Sequence, residues 1–213
     1  MDRDDLRTAL ESERLRLADV VETLGPEEWR TPSLCTGWTV QDVVAHITLT
    51  SRLTKLGAIR AMLAARGRIN RMIDESARAR AAQFSPAELV AQLRETAGSE
   101  RRPLGAKPMD PLVDILVHGQ DINRPLHRTY PMTVEYVVPA LGFVVGTKFY
   151  GAPKRLAGLR LVATDADWST GSASDREVRG PVGELLLVAT GRPAGLPALS
   201  GDGAEELAAR LSD

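Results

Sequence analysis

The sequence predicts a mainly α-helical fold, a helical bundle followed by a small α/β part, and three observations carry that expectation. Apolar residues recur at helical spacing through most of the first 130 positions. Aromatic residues make up only 4% of the chain, so its core must be built from Leu, Val, Ala and Ile, which suit packed helices better than a β-sandwich. Later in the chain Gly and Pro become frequent and the apolar runs shorten, which divides it into an expected bundle at 1–130 and an expected smaller domain at 131–213.

The first helix is expected over about 6–24, where Leu6, Leu10, Leu15, Leu17, Val20, Val21 and Leu24 recur at helical spacing and Gly25-Pro26 supplies a stop. An irregular segment from Glu28 to Trp38 leads to Thr39, whose hydroxyl can cap a second helix with Asp42 completing a Thr-x-x-Asp capping box. That helix is expected to run over 40–65. The Arg-rich stretch around 60–80 bends at Gly67, and its arginines, interleaved with Ala and Asp74-Glu75, read as a solvated face. Ser85-Pro86 opens a third helix ending near Gly98, residues 101–108 read as a loop, and Asp110-Pro111 opens a fourth with Leu112, Ile115, Leu116 and Ile122 as its buried face. In the second part the pattern predicts a helix over 134–149, short strands at 159–163 and 176–179, a helix over 181–190 closed by Gly191, and a last helix over 204–211.

Composition narrows the function. The net charge is −1, so no global field attracts nucleic acid or an anionic membrane, and no apolar run is long enough to span a bilayer. The charged start, Met1-Asp2-Arg3-Asp4-Asp5, lacks a signal-peptide apolar region, which predicts a cytoplasmic protein. Only Lys55, Lys107, Lys148 and Lys154 of the 27 basic residues are lysine, an Arg excess that reads as codon bias. The single cysteine, Cys35, excludes an intrachain disulfide and any multi-Cys metal site, so a metal here would need His and carboxylate ligands.

Of the three histidines, His46 and His118 fall inside expected helices, His127 outside them. Asp114 and His118 are four residues apart, which puts both on one helical face where they could grip one ion or form an ordinary surface pair. His46 could supply a third ligand from another helix, or could be a satisfied core histidine. Asp121 shares the face of Asp114 and His118, and could hydrogen-bond a ligating imidazole, catch a substrate amine or be a solvated helix-end acid. Asp42 is explained by its capping box. Cys35, close in sequence to His46, could be a thiolate nucleophile or a fourth ligand, but a lone Cys beside Leu34 and Trp38 reads rather as a small buried hydrophobe.

The segment that begins Leu34-Cys35-Thr36-Gly37-Trp38 and ends at His46 resembles one signature of the mycothiol-dependent maleylpyruvate isomerase family. The segment holding Asp114, His118-Gly119-Gln120-Asp121 and Asn123-Arg124-Pro125 resembles the other, and Thr164-Asp165-Ala166-Asp167-Trp168, Thr190-Gly191-Arg192 and Gly201-Asp202-Gly203 resemble its small C-terminal domain. The resemblance implies a DinB-like four-helix bundle in which His46, Asp114 and His118 bind a divalent metal, zinc being favoured by two imidazoles and a carboxylate. It also implies an arginine of the small domain, for which Arg192 is the candidate, that serves a carboxylate substrate. The family pattern has Glu where this chain has Asp114, one methylene shorter. Mycothiol, the low-molecular-weight thiol of actinobacteria, is the implied cosubstrate, and its thiolate would add to an electrophilic small molecule, ending in thiol transfer or in cis-trans isomerisation. Two other readings use the same residues: a metal-dependent hydrolase with water as nucleophile, and a non-catalytic small-molecule-binding protein.

Overall fold

The computed structural model describes residues 1–52, 54–103 and 105–212. The chain divides into two compact units, Met1–Tyr130 and Pro131–Asp213. The first is helical: α1 (Arg3–Glu22), α2 (Pro26–Arg30), α3 (Val40–Thr50), α4 (Lys55–Ala64), α5 (Ile69–Gln83), α6 (Pro86–Glu95) and α7 (Asp110–Asn123). Helices α1, α6, α3 and α7 pack pairwise into a closed ring, with α5 against the outside of α3 and α4 against α5. The ring encloses Leu17, Val43, Val44, Leu89, Leu93, Leu112, Ile115 and Leu116, all nearly or wholly removed from solvent. Each such side chain contributes about 1.5–3 kcal/mol by burial, which is what holds the four helices together.

Local chemistry sets the helix ends. Asp2 and Asp5 form a reciprocal capping box on α1, Thr39 and Asp42 on α3, and Ser85 and Glu88 on α6. At Gly25-Pro26 the chain does more than stop. The Gly25 N–H donates to Glu28 Oε2 at 2.8 Å, and the short helix α2 follows where an irregular segment is expected. The single helix expected over 40–65 is broken. Thr48, Thr50 and Ser51 donate their hydroxyls back to the carbonyls of Ala45, Ile47 and Thr48, competing with the helical ladder, and the Thr54 side chain then caps α4. Leu53, within the break, lies outside the described residues. Beyond the turn at Gly67 (φ 74°), part of the Arg-rich run forms the 15-residue helix α5. Asp110 is the first helical residue of α7 rather than its cap, and its Oδ2 accepts from the Lys107 N–H at 2.6 Å. The described positions of the expected 101–108 loop carry no helix or strand, and Leu104 lies outside them.

The second unit contains α8 (Val134–Val145), a 3-10 turn (Lys148–Tyr150), α9 (Ala152–Arg155), β1 (Leu159–Ala163), β2 (Ser169–Thr170), β3 (Arg176–Gly180), α10 (Val182–Ala189), a second 3-10 turn (Pro193–Ala198) and α11 (Ala204–Ser212). Its three strands are ordered β2-β1-β3, with β1 antiparallel to β2 and parallel to β3. Helix α10 packs on α8 and reaches the sheet, burying Leu185, Leu186 and Leu187. The mainly α fold with a small α/β part is therefore observed. Strand β2 has only two residues, too few to show an alternating pattern, and α8 ends at Val145 with Gly146 as its C-cap, short of the expected 149.

Candidate metal centre

The site lies where α3 meets α7. Val40, Val43, Val44 and Ile47 bury one side of α3, which leaves His46 half-buried beside Asp114 and His118 of α7. His46 Nε2 is 3.4 Å from Asp114 Oδ1, and His118 Nε2 is 3.3 Å from the same oxygen. The two imidazoles meet edge to face with centroids 5.1 Å apart, and Trp38 lies 5.4 Å from His46 on the other ring contact. One ligand atom from each of His46, Asp114 and His118 can be chosen so that all lie within 4.8 Å of one another.

Whether these residues suit a metal is decided by the proton on His118. Its Nδ1 is 2.8 Å from Asp121 Oδ2, and because an ionised carboxylate only accepts, Nδ1–H must donate. A neutral His118 therefore turns the lone pair of Nε2 toward the Asp114 oxygen. Two lone pairs at 3.3 Å repel unless a cation or proton lies between them. Atoms bound tetrahedrally at about 2.0–2.1 Å sit about 3.3 Å from one another, close to both separations. The donor set fits a divalent ion.

Without a metal, protons meet the same demand. Burial opposes ionisation of Asp114, but the charges and hydrogen bonds of His46 and His118 outweigh it and hold the carboxyl well below its ordinary range. Burial likewise opposes a charged His118, yet Asp114 and Asp121 raise its pKa well above that of a free imidazole.

The structure brings together His46, Asp114, His118 and Asp121. Asp121 is fully buried and stands behind His118, on the ring nitrogen turned away from Asp114. Arg192 belongs to the second unit, where its Nη1 donates to the Thr190 carbonyl at 2.9 Å. Two residues near the site escape the sequence reading. Cys35 is more than a packing group: its Sγ is 3.2 Å from Asp121 Oδ2 and 3.7 Å from His118 Nδ1. Arg14 is buried, donates to the carbonyls of Thr96, Ala97 and Ser99 beyond the end of α6, and feels the Asp114 charge. Its position between Leu10 and Leu17 on the apolar face of α1 was the available signal.

A four-helix ring with two histidines and a carboxylate converging from adjacent helices defines a helical-bundle protein built around a candidate metal centre. The family described as mycothiol maleylpyruvate isomerase N-terminal domain matches residues 10–123, more than half of the chain, and the chain belongs to that family. Two solved structures share the fold. The crystal structure of the mycothiol-dependent maleylpyruvate isomerase aligns with a TM-score of 0.63 at 14% identity, covering 96% of this chain and 94% of that one. A histidine-to-alanine mutant of that isomerase aligns with a TM-score of 0.62 at 13% identity over the same shares. No curated protein sequence is matched significantly. No described helix is long and apolar enough to cross a membrane.

Proposed function

We propose that the chain is a cytoplasmic, metal-dependent enzyme that uses mycothiol, adding its thiolate to an electrophilic small molecule with isomerisation or thiol transfer as the outcome. The observation that carries the metal reading is the convergence of His46 Nε2 and His118 Nε2 on Asp114 Oδ1 at 3.4 and 3.3 Å. The thiol reading rests on family membership.

In this reading His46, Asp114 and His118 are the ligands, and Asp121 keeps the Nδ1 proton of His118 in place so that Nε2 stays available. A divalent ion held there, zinc by the preference of imidazole and carboxylate donors, supplies a net positive charge that lowers the pKa of an arriving thiol below the ordinary value of about 8.5. Three protein ligands leave a position for that thiol. Arg192 is assigned to a substrate carboxylate on resemblance alone.

The test is titration of mycothiol into zinc-loaded and metal-stripped protein by calorimetry, followed by assays on epoxides, quinones and unsaturated diacids with and without the thiol. Binding to the zinc-loaded form only, lost in His46→Ala and His118→Ala together with tight zinc binding, is the expected result. Thiol-independent hydrolysis would move the assignment to a metal-dependent hydrolase, and no thiol binding to either form would leave a binding protein.

A further inference from the structure

We infer that Cys35 is a positioning residue for the candidate centre, acting on His118 through Asp121. The inference rests on the metal reading for its purpose, but its geometry stands without it. Two donors converge on one buried oxygen: His118 Nδ1–H at 2.8 Å and the Cys35 thiol at 3.2 Å, both on Asp121 Oδ2. In the second contact the sulfur is the donor and the carboxylate oxygen accepts. The 3.7 Å approach of Cys35 Sγ to His118 Nδ1 is then a side contact, because that ring proton is already directed at Asp121.

The cysteine is held in place by its turn. The Leu34 N–H donates to the Asp121 carbonyl at 3.1 Å, which pins the segment to α7 one residue before the thiol. Across the turn the Trp38 N–H donates to the Cys35 carbonyl at 2.9 Å, and Gly37 supplies the left-handed conformation (φ 78°) the reversal needs. From α5, Arg78 Nη2 donates to the Gly37 carbonyl and Asp74 accepts from Trp38 Nε1, both at 2.7 Å. The thiol is thus presented to Asp121 by a braced loop.

The consequence is a chain of three groups, Cys35 to Asp121 to His118, that ends at Nε2 facing Asp114. By occupying Oδ2 from a second direction, Cys35 limits the rotation of the Asp121 carboxylate and so the tilt of the His118 ring. It also lies on the Nδ1 side of that ring, away from the ligand atoms that face Asp114, so the one protein thiol is used behind the ligand and does not compete with an external thiol for the open position.

The experiment compares the native protein with Cys35→Ala and Cys35→Ser. In the metal-free proteins, side-chain nitrogen NMR reads how fast the His118 Nδ1 proton exchanges with solvent. In the zinc-loaded proteins, chelator competition reads affinity. Cys35→Ala is expected to speed the exchange and to weaken zinc about tenfold, the lower end of what partners behind a metal ligand contribute. Cys35→Ser, which keeps a donor, should restore most of both. Equal behaviour of the alanine and serine variants, or native exchange in Cys35→Ala, overturns the inference. If the native protein takes up no zinc, the metal reading fails, and the exchange arm alone decides the role of Cys35.

Discussion

Helices α7 and α4 belong to the same unit and both are rich in apolar residues, yet they end in opposite environments. Of the 14 residues of α7, only Asp110 and Asp114 escape full burial. In α4 no described side chain is fully buried, and Leu56, Ile59 and Leu63 are 57%, 51% and 73% exposed. Apolar content did not decide this; membership of the ring did. Burial also sets the rules for the polar residues of α7, because a polar group that has lost water must find a partner. Gln120 Nε2 donates to the Tyr130 carbonyl, Asn123 Nδ2 to the Gly119 carbonyl, and Asp121 accepts from His118, while Asn123 Oδ1 is left without a partner among the described residues. Asp114, one of the two that keep some exposure, is the residue on which both imidazoles converge.

The largest effect that would test this contrast is loss of packing in α7. Leu116 is fully buried, and Leu116→Ala is expected to cost about 2–5 kcal/mol in denaturant unfolding. A cost below 1 kcal/mol would mean that the ring is loosely packed.

The second effect is pH dependence, followed by thermal unfolding between pH 6 and 9. In the metal-free protein His118 is raised, so its contribution is full below the ordinary imidazole value of about 6.5 and is lost as pH rises through the raised value. Asp114 is lowered, so its contribution is present above about 4 and is lost only as pH falls through the lowered value. The metal-free protein should therefore lose stability from this pair as pH rises above about 6.5. With zinc the trend should reverse, since protons compete with the ion for His46 and His118. Parallel slopes with and without zinc would contradict the shared-oxygen geometry. Asp114→Asn should flatten the metal-free slope.

The smallest effect belongs to α4: Leu63→Ser is expected to change stability by no more than about 0.5 kcal/mol. A larger loss in the same unfolding experiment would show that this face is covered in solution, and would remove the contrast.

The sequence makes some of this architecture readable and hides the rest for physical reasons. The four ring helices are visible because each carries an apolar face at helical spacing and three have side-chain capping boxes at or next to their starts. The break between α3 and α4 is hidden because apolar periodicity continues across it, while the cause lies in the hydroxyls of Thr48, Thr50 and Ser51. At the candidate site, the pairing of Asp114 with His118 follows from a spacing of one helical turn. The approach of His46 spans 68 residues and that of Cys35 to Asp121 spans 86. No local spacing encodes either: the residues alone leave His46 open between third ligand and core histidine until the family resemblance is added, and nothing in the neighbourhood of Cys35 points to Asp121 as its partner. Arg14 was overlooked because a charged residue within an apolar stripe is easily taken for an interruption.

One contact in the first unit also has a mechanical meaning. A Cβ added at Gly119 would stand 2.6 Å from the Tyr130 ring, so that ring lies directly against the backbone of α7, with the Arg16 guanidinium 3.8 Å from its centroid on α1. With Gln120 gripping its carbonyl, the last residue of the unit is bolted to the helix that carries Asp114, His118 and Asp121. Tension applied to the chain at Tyr130 would be borne first by this bolt and passed into α7. A shortened protein that stops at Arg128 would lack the bolt and leave a groove over Gly119, whereas one that stops after Tyr130 keeps it.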